Sequence, residues 1–174
     1  LLGWWAQENT KNRHLWPGIS VNRDTSNRSL DETLNEIMID RGMQPKSSGV
    51  IHWSISSVTN NPRLADTLIK SVYRNRALVP ASPWLDNKAP EAPVLKTEDA
   101  GEFLKLTWTH PDEKDVFLWV VYHEYNGRWS YNIFNRNQKE LLVRKEVGQN
   151  NSKQTLGKVI VTAVDRTGNE SQIK

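Results

Sequence analysis

The chain has no cysteine among its 174 residues, which excludes disulfide bonds and metal sites built on thiolates. No apolar run approaches the about 20 residues that a membrane-spanning helix requires. The excess of positive charge is only +3, because 23 Lys and Arg stand against 20 Asp and Glu, and there is no basic cluster. Nucleic acid is therefore not an expected partner. Glycine-rich phosphate loops, serine nucleophile elbows and zinc-hydrolase helix motifs are missing as well, and we predict no cofactor.

Proline, in contrast, is concentrated in the stretch ALVPASPWLDNKAPEAPVL at 77–95. Proline disfavours helical conformations in the residue before it, so this stretch reads as an extended connector. Strand and helix patterns alternate before it, whereas only short alternating segments follow it. The sequence therefore predicts two domains, residues 1–85 and 93–174, joined by a connector at residues 86–92. Apolar residues such as Leu85 predict that the stretch is packed, because a flexible linker would be rich in Gly and Ser.

The residues before the connector predict alternating strands and helices. Arg13–Ser20 and Val50–Ile55 are short apolar runs, typical of buried strands. One predicted helix begins at the capping pair Ser29 and Glu32, and a second begins at Asn61. This strand–helix–strand–helix order implies a parallel sheet. Because buried parallel strands need neighbours on both edges, we predict the remnant of a (β/α) barrel.

The residues after the connector predict strands separated by turns rich in Asn and Gly. The predicted strands include Phe103–Trp108, Phe117–Tyr122, Trp129–Phe134, Leu141–Val143 and Lys158–Val164. About seven short strands in about 80 residues are typical of a β-sandwich. The predicted fold class is therefore α/β plus all-β, with a partial βαβα barrel remnant joined to a sandwich.

Three features of this second part resemble a fibronectin type III domain. Trp108 ends a strand, VVY follows at 120–122, and VTAVDRTGNES at 161–171 is similar to the penultimate strand and final hairpin of that fold. We expect Trp108 at the centre of the sandwich. Trp119 and Trp129 are candidates for surface aromatics.

Four segments of the first part resemble a second known family: WWAQ at 4–7, RHLWPGIS at 13–20, SGVIHWSI at 48–55 and YRNRALVPASPWL at 73–85. In this order they resemble the carboxyl-terminal part of bacterial glycoside hydrolase-like family 10 proteins, whose barrel precedes a β-sandwich module. The resemblance implies that RHLWPGIS and GVIHWSI are the last two barrel strands. It also implies a secreted protein or lipoprotein, common in Bacteroidetes, with an extracellular, periplasmic or outer-membrane location.

The two predicted barrel strands and the loop after the first supply the candidate binding residues. Two histidines occupy matching positions in the strands, but a third ligand with recognisable spacing is missing, so we predict no metal site. Tryptophans beside them suit the apolar C–H faces of sugar rings. The predicted substrate-binding residues are His14, Trp16, Ser20, Asp24, His52 and Trp53.

Glycoside hydrolysis requires two carboxyl groups, and neither predicted strand ends in one. The resemblance therefore implies a fragment of a glycosidase that acts on a polysaccharide or glycan and is not catalytically complete by itself. Two alternatives stay open: a non-catalytic carbohydrate-binding or adhesion protein, and a structural spacer. The unpaired edge of an incomplete sheet also leads us to expect self-association through the barrel remnant.

Overall fold

The computed structural model describes residues 1–21, 30–43, 45–148 and 152–173. The chain divides into two compact units, Leu1–Ala77 and Leu78–Lys174, so the proline-rich stretch belongs to the second unit. Within the described ranges, helices are combined with antiparallel sheets and one parallel strand pair, and these elements form no closed barrel. Every helix in those ranges is too short or too polar to span a bilayer.

The first unit is built from short helices around a two-stranded parallel sheet. Its elements are α1 (Leu2–Glu8), β1 (Gly18–Ser20), α2 (Leu30–Gly42), β2 (Ile51–Trp53), α3 (Ile55–Thr59) and α4 (Pro62–Lys70). Strand β1 pairs with β2 in parallel, with Ile19 opposite His52. Both strands are shorter than predicted. Residues 13–17 lie before the strand, although the carbonyl of Pro17 accepts a hydrogen bond from the Ile51 N–H at 2.9 Å, and α3 begins directly after Ser54.

Local sequence explains where α4 begins. The Asn61 side chain accepts a hydrogen bond from the backbone N–H of Leu64 at 3.1 Å, and Pro62 occupies the first turn, where its missing N–H costs nothing. Leu64 and Leu68, one turn apart, are buried. Ile69, the next residue along the helix, is exposed. The predicted cap of α2, Ser29, lies outside the described residues.

The core of the first unit lies on one side of the parallel sheet. It consists of Ile19, Val21, Ile37, Leu64 and Leu68, contributed by β1 and its end, α2 and α4. Neighbouring residues of a strand point to opposite faces, so the helices cover the face that contains Ile19. The other face of the sheet is exposed at each of its described strand residues.

The second unit contains two antiparallel sheets. Its strands are β3 (Val94–Ala100), β4 (Phe103–Thr109), β5 (Leu118–Tyr125), β6 (Arg128–Asn135), β7 (Glu140–Arg144), β8 (Glu146–Val147) and β9 (Gln154–Val164). One sheet has the order β3-β4-β7 and the other β6-β5-β9-β8. Both sheets contribute to one hydrophobic cluster, in which Trp108 is buried together with Leu106 and Val161. The predicted burial of Trp108 is confirmed. Trp119 is buried in the same cluster, so its expected place on the surface was wrong.

The outer face of the four-stranded sheet is partly covered by the proline-rich stretch. Leu78 packs on a second cluster formed by Val120, Ile133 and Val164. The Ser82 N–H donates to the carbonyl of Thr167 at 2.7 Å, which holds the stretch against the turn after β9. The stretch is therefore anchored on the second unit. Leu85, however, is 73% exposed, so the expectation that it is packed was wrong.

Candidate functional site

The carboxyl ends of β1 and β2 bring two of the predicted binding residues together. Because the strands are parallel, these ends lie at the same edge of the sheet, and Ser20 is directly opposite Trp53. Both side chains lie on the face opposite Ile19, which is the face that the helices leave open. Trp53 is 68% exposed. Ser20 and Trp53 thus form an exposed polar–aromatic pair at the strand ends.

His52 lies on the opposite face from Trp53 and contacts the carboxyl-terminal end of the first unit. Its Nε2 is 2.7 Å from the hydroxyl oxygen of Tyr73, and the two rings meet edge to face with centroids 5.6 Å apart. The guanidinium of Arg41 lies 5.8 Å from the centre of the Tyr73 ring and donates to the carbonyl of Val72 at 2.5 Å. His52 is therefore held by a packed network on the helix side of the sheet, away from Ser20 and Trp53.

Burial sets the charge states in this network. It lowers the pKa of His52, because the imidazolium would lose its hydration, and it raises the pKa of Tyr73. The Nδ1 atom of His52 is buried and has no hydrogen-bond partner among the described residues. The lowered pKa favours the neutral form of His52. Sequence reasoning missed its partner Tyr73, because the contact joins residues that are 21 positions apart in the chain.

His14 and Trp16 lie at the other end of β1. Their rings are stacked, with centroids 5.8 Å apart and planes within 8°. Trp16 also lines a mostly apolar groove with a volume of about 600 Å³, together with residues of α1 and α2 such as Trp5 and Ile39. The structure therefore separates His14 and Trp16 from Ser20 and Trp53 by the length of the strand.

The remaining candidates add no metal or acid to the site. Asp24 lies outside the described residues. No group of three metal-ligating side chains occurs in the part of the chain that the structure describes. Asp40 is a buried carboxylate in the first unit, but the Ser47 hydroxyl binds it and also lies 3.1 Å from the carbonyl of Leu15. This contact fixes the segment before β1 to the end of α2, which is a structural role.

One curated protein aligns with nearly the whole chain. The glycosyl hydrolase YngK of Bacillus subtilis (strain 168) is 30% identical over 188 aligned positions, which cover 99% of this chain and 36% of that protein. The chain is similar to a glycosyl hydrolase. It spans about a third of that relative's length. No protein-family model matches the chain.

A weaker likeness exists among solved structures. The spore cortex lytic enzyme SleM of Clostridium perfringens has 20% identity and a TM-score of 0.36, and the match covers 49% of this chain and 26% of that chain.

Two half-buried histidines predict that the protein loses stability in mild acid. Burial lowers the pKa of His52 in the first unit and of His123 in the second, and the Nδ1 of each lacks a partner among the described residues. The unfolded chain binds protons at these residues from about pH 6.5 downward, whereas the folded chain does so only at lower pH. Stability present above about pH 6.5 should therefore decline as the pH falls toward about 5.

Thermal denaturation followed by circular dichroism at a series of pH values measures this decline. Between about pH 7 and 5, the range in which histidine titrates, the Tm of the parent should fall. The Tm of the double variant His52→Gln and His123→Gln should fall much less over the same range. An unchanged decrease in the double variant would show that other groups cause it.

Proposed function

We propose that the chain is the carboxyl-terminal part of a glycoside hydrolase. Its first unit would supply the last two strands of a (β/α) barrel, and its second unit would be a fibronectin type III-like sandwich that follows the barrel. The observation that carries this proposal is the parallel pair β1–β2, with helices on one face and Ser20 and Trp53 on the open face at the carboxyl ends. Barrel enzymes place their active sites at these strand ends.

The open face supports the proposal on physical grounds. Parallel sheets are normally covered on both faces, and edge strands are normally paired or blunted. Ile51 and Trp53 nevertheless expose large apolar side chains on this face. The chain covers only 36% of its glycosyl hydrolase relative, so further strands of a longer protein could pair with this sheet and enclose the face. Association with a second copy would be expected where those strands are absent.

Ser20 and Trp53 would bind substrate in this arrangement, and other residues would perform the chemistry. The indole ring of Trp53 offers a flat apolar surface to a sugar ring, and the Ser20 hydroxyl can exchange hydrogen bonds with sugar hydroxyls. In the usual mechanism of glycoside hydrolysis the general acid and the base or nucleophile are carboxyl groups, and neither β1 nor β2 contains one. The acids would therefore come from the part of the protein that completes the barrel. A polymeric glycan substrate fits an extracellular, periplasmic or outer-membrane location.

The proposal predicts a division between binding and chemistry that can be measured. In the longer protein, Trp53→Ala should lower kcat/KM for polysaccharide hydrolysis by about fivefold or more, because stacking of one aromatic ring is worth about 1 kcal/mol. Trp53→Phe keeps a ring and should retain much of the activity. Leu142→Ala is the matched control, because it removes an exposed apolar side chain from the three-stranded sheet of the second unit. It should leave kcat/KM unchanged.

Two results would contradict the proposal. The first is full hydrolytic activity of residues 1–174 without further chain, because the acids would then lie within it. The second is an unchanged kcat/KM for Trp53→Ala on every polysaccharide that the longer protein cleaves.

A structural spacer is the second candidate for the second unit. The observation in its favour is the three-stranded sheet, where Lys105 pairs with Glu140 at 3.3 Å and Lys145 pairs with Asp99 at 2.5 Å. These partly exposed ion pairs are typical of a solvated surface and contribute little to binding or stability. This description fits the three-stranded sheet and does not fit the outer face of the other sheet.

A further inference from the structure

Exposed aromatic side chains lie on the outer face of the four-stranded sheet. Strand β6 is an edge strand, and its register places Trp129 opposite Glu124 and Tyr131 opposite Tyr122. Trp129 is 50% exposed and Tyr131 is 38% exposed. Because alternate residues share a face, these four side chains lie on the same side as Ile133, outside the core that the two sheets share.

The proline-rich stretch covers only one end of this face. Leu78 packs on Val120, Ile133 and Val164, and the aromatic residues continue along β5 and β6 beyond that cluster. The Tyr122 and Tyr131 rings have centroids 6.0 Å apart at an angle of 51°. The Tyr122 hydroxyl donates to Glu170 at 2.7 Å, which fixes this ring in place. The uncovered end is thus a pre-ordered aromatic surface.

A carboxylate is held beside this aromatic surface. Glu124 accepts a hydrogen bond at Oε1 from the backbone N–H of Gly127 in the turn between β5 and β6. Its Oε2 lies over Gly157, where a Cβ atom would come within 2.5 Å of it. Glycine at position 157 therefore leaves the room that the Glu124 carboxylate occupies next to Trp129.

We propose that Trp129, Tyr131 and Glu124 form a binding surface for an uncharged pyranose glycan, separate from Ser20 and Trp53. A sugar ring has an apolar C–H face that suits the indole and phenol rings, and hydroxyl groups that can donate to the carboxylate. The carboxylate disfavours anionic sugars by charge repulsion. The choice of a glycan as ligand rests on the proposed function, whereas the position of the surface rests on the geometry of the second unit.

Calorimetric titration of the whole chain with cellohexaose and with chitohexaose tests this surface. At least one of these uncharged hexasaccharides should bind. Trp129→Ala and Tyr131→Ala should each weaken its binding by about tenfold, which corresponds to about 1.4 kcal/mol. Leu142→Ala removes an exposed apolar side chain from the other sheet and should leave the affinity unchanged. Circular dichroism should show that both aromatic variants melt close to the parent, because both side chains are exposed.

Two further variants test the carboxylate without removing a ring. Glu124→Gln keeps an acceptor for the Gly127 N–H but removes the charge. Gly157→Ala places a methyl group where the carboxylate lies. Each should weaken hexasaccharide binding by about threefold or more, which corresponds to about 0.6 kcal/mol or more. Unchanged affinity in both variants would overturn the role of Glu124.

The outcomes separate this inference from the proposed function. Failure of both hexasaccharides to bind overturns the inference, as does binding that Trp53→Ala weakens and Trp129→Ala does not. Binding that depends on Trp129 in a protein that hydrolyses no glycan would support the inference and contradict the proposed function. Light scattering tests whether a second copy of the chain binds this surface instead. If no sugar binds and the chain forms an oligomer that Trp129→Ala dissociates, the surface is a contact between copies and the inference is wrong.

Discussion

Trp108→Ala should destabilise the second unit by about 3–5 kcal/mol, the usual cost of removing a large aromatic side chain from a core. Trp108 is 1% exposed and contacts the rings of Trp119 and Phe134 at centroid distances of 6.3 and 6.4 Å. Domains are stable by only about 5–15 kcal/mol, so this loss is a large fraction of the total. Thermal denaturation should show a Tm lower by more than about 10 °C.

Trp108→Phe is the informative control for this prediction. The indole Nε1 of Trp108 is buried and has no hydrogen-bond partner among the described residues. Phenylalanine keeps ring contacts and removes this unpaired N–H, so its cost should be well below that of alanine. Trp129→Ala, on the surface of the same unit, should change Tm by only a few degrees. Equal melting of Trp108→Ala and the parent would show that the two sheets do not share the core described above.

Gly168→Ala should destabilise the second unit by about 2–4 kcal/mol, because a positive φ and backbone contacts act together. Gly168 has a φ of +87°, and an added Cβ would lie 2.9 Å from the carbonyl oxygen of Val79 and 3.0 Å from that of Pro80. Backbone atoms cannot move aside as a flexible side chain can. The proline-rich stretch would therefore have to shift, and its hydrogen bond from Ser82 to Thr167 would weaken.

Gly101→Ala isolates the backbone contribution to this cost. Gly101 has a similar φ of +70°, but an added Cβ would meet no atom of the described residues within 4 Å. Its substitution should cost only the about 1–2 kcal/mol of the left-handed conformation. Chemical denaturation gives both values, and hydrogen exchange should be faster at the Ser82 amide only in Gly168→Ala. If both variants lose the same free energy of unfolding, the backbone of the proline-rich stretch does not restrict the side chain at position 168.

Elements whose causes are local could be predicted from the sequence. The structure begins α4 at Pro62, next to the Asn61 cap that the sequence indicated, because the capping hydrogen bond lies within four residues. The predicted strand Phe103–Trp108 corresponds to β4, Phe103–Thr109, because alternating apolar residues are visible within a single strand.

Elements that depend on a partner strand were missed. β3, with the sequence VLKTEDA, is polar and mostly exposed, and its seven residues are extended because they pair with β4 along their full length. β8 is two residues long and pairs only with the start of β9. Neither segment has an apolar period, because edge strands need no second buried face. The pairing alone makes them strands.

The tryptophans of the second unit mark a similar limit. The sequence predicted the burial of Trp108, but it did not show which of Trp119 and Trp129 is buried and which is exposed. Trp119 lies in the shared core and donates from Nε1 to the carbonyl of Arg136 at 3.1 Å, whereas Trp129 is on the outer face of an edge strand. Alternation along a strand assigns residues to two faces, and the second sheet then decides which face is buried.

Some features of the candidate site in the first unit follow from the sequence, and others follow only from the tertiary structure. His52 and Trp53 are consecutive residues of a strand, so the sequence by itself determined that their side chains point to opposite faces. Only the packing of α2 and α4 against Ile19, and the parallel register that sets Ile19 opposite His52, decided that His52 faces the helices. Trp53 is consequently on the open face, opposite Ser20. A hydrophobic core formed by residues far apart in the chain makes this choice, and no local pattern contains that information.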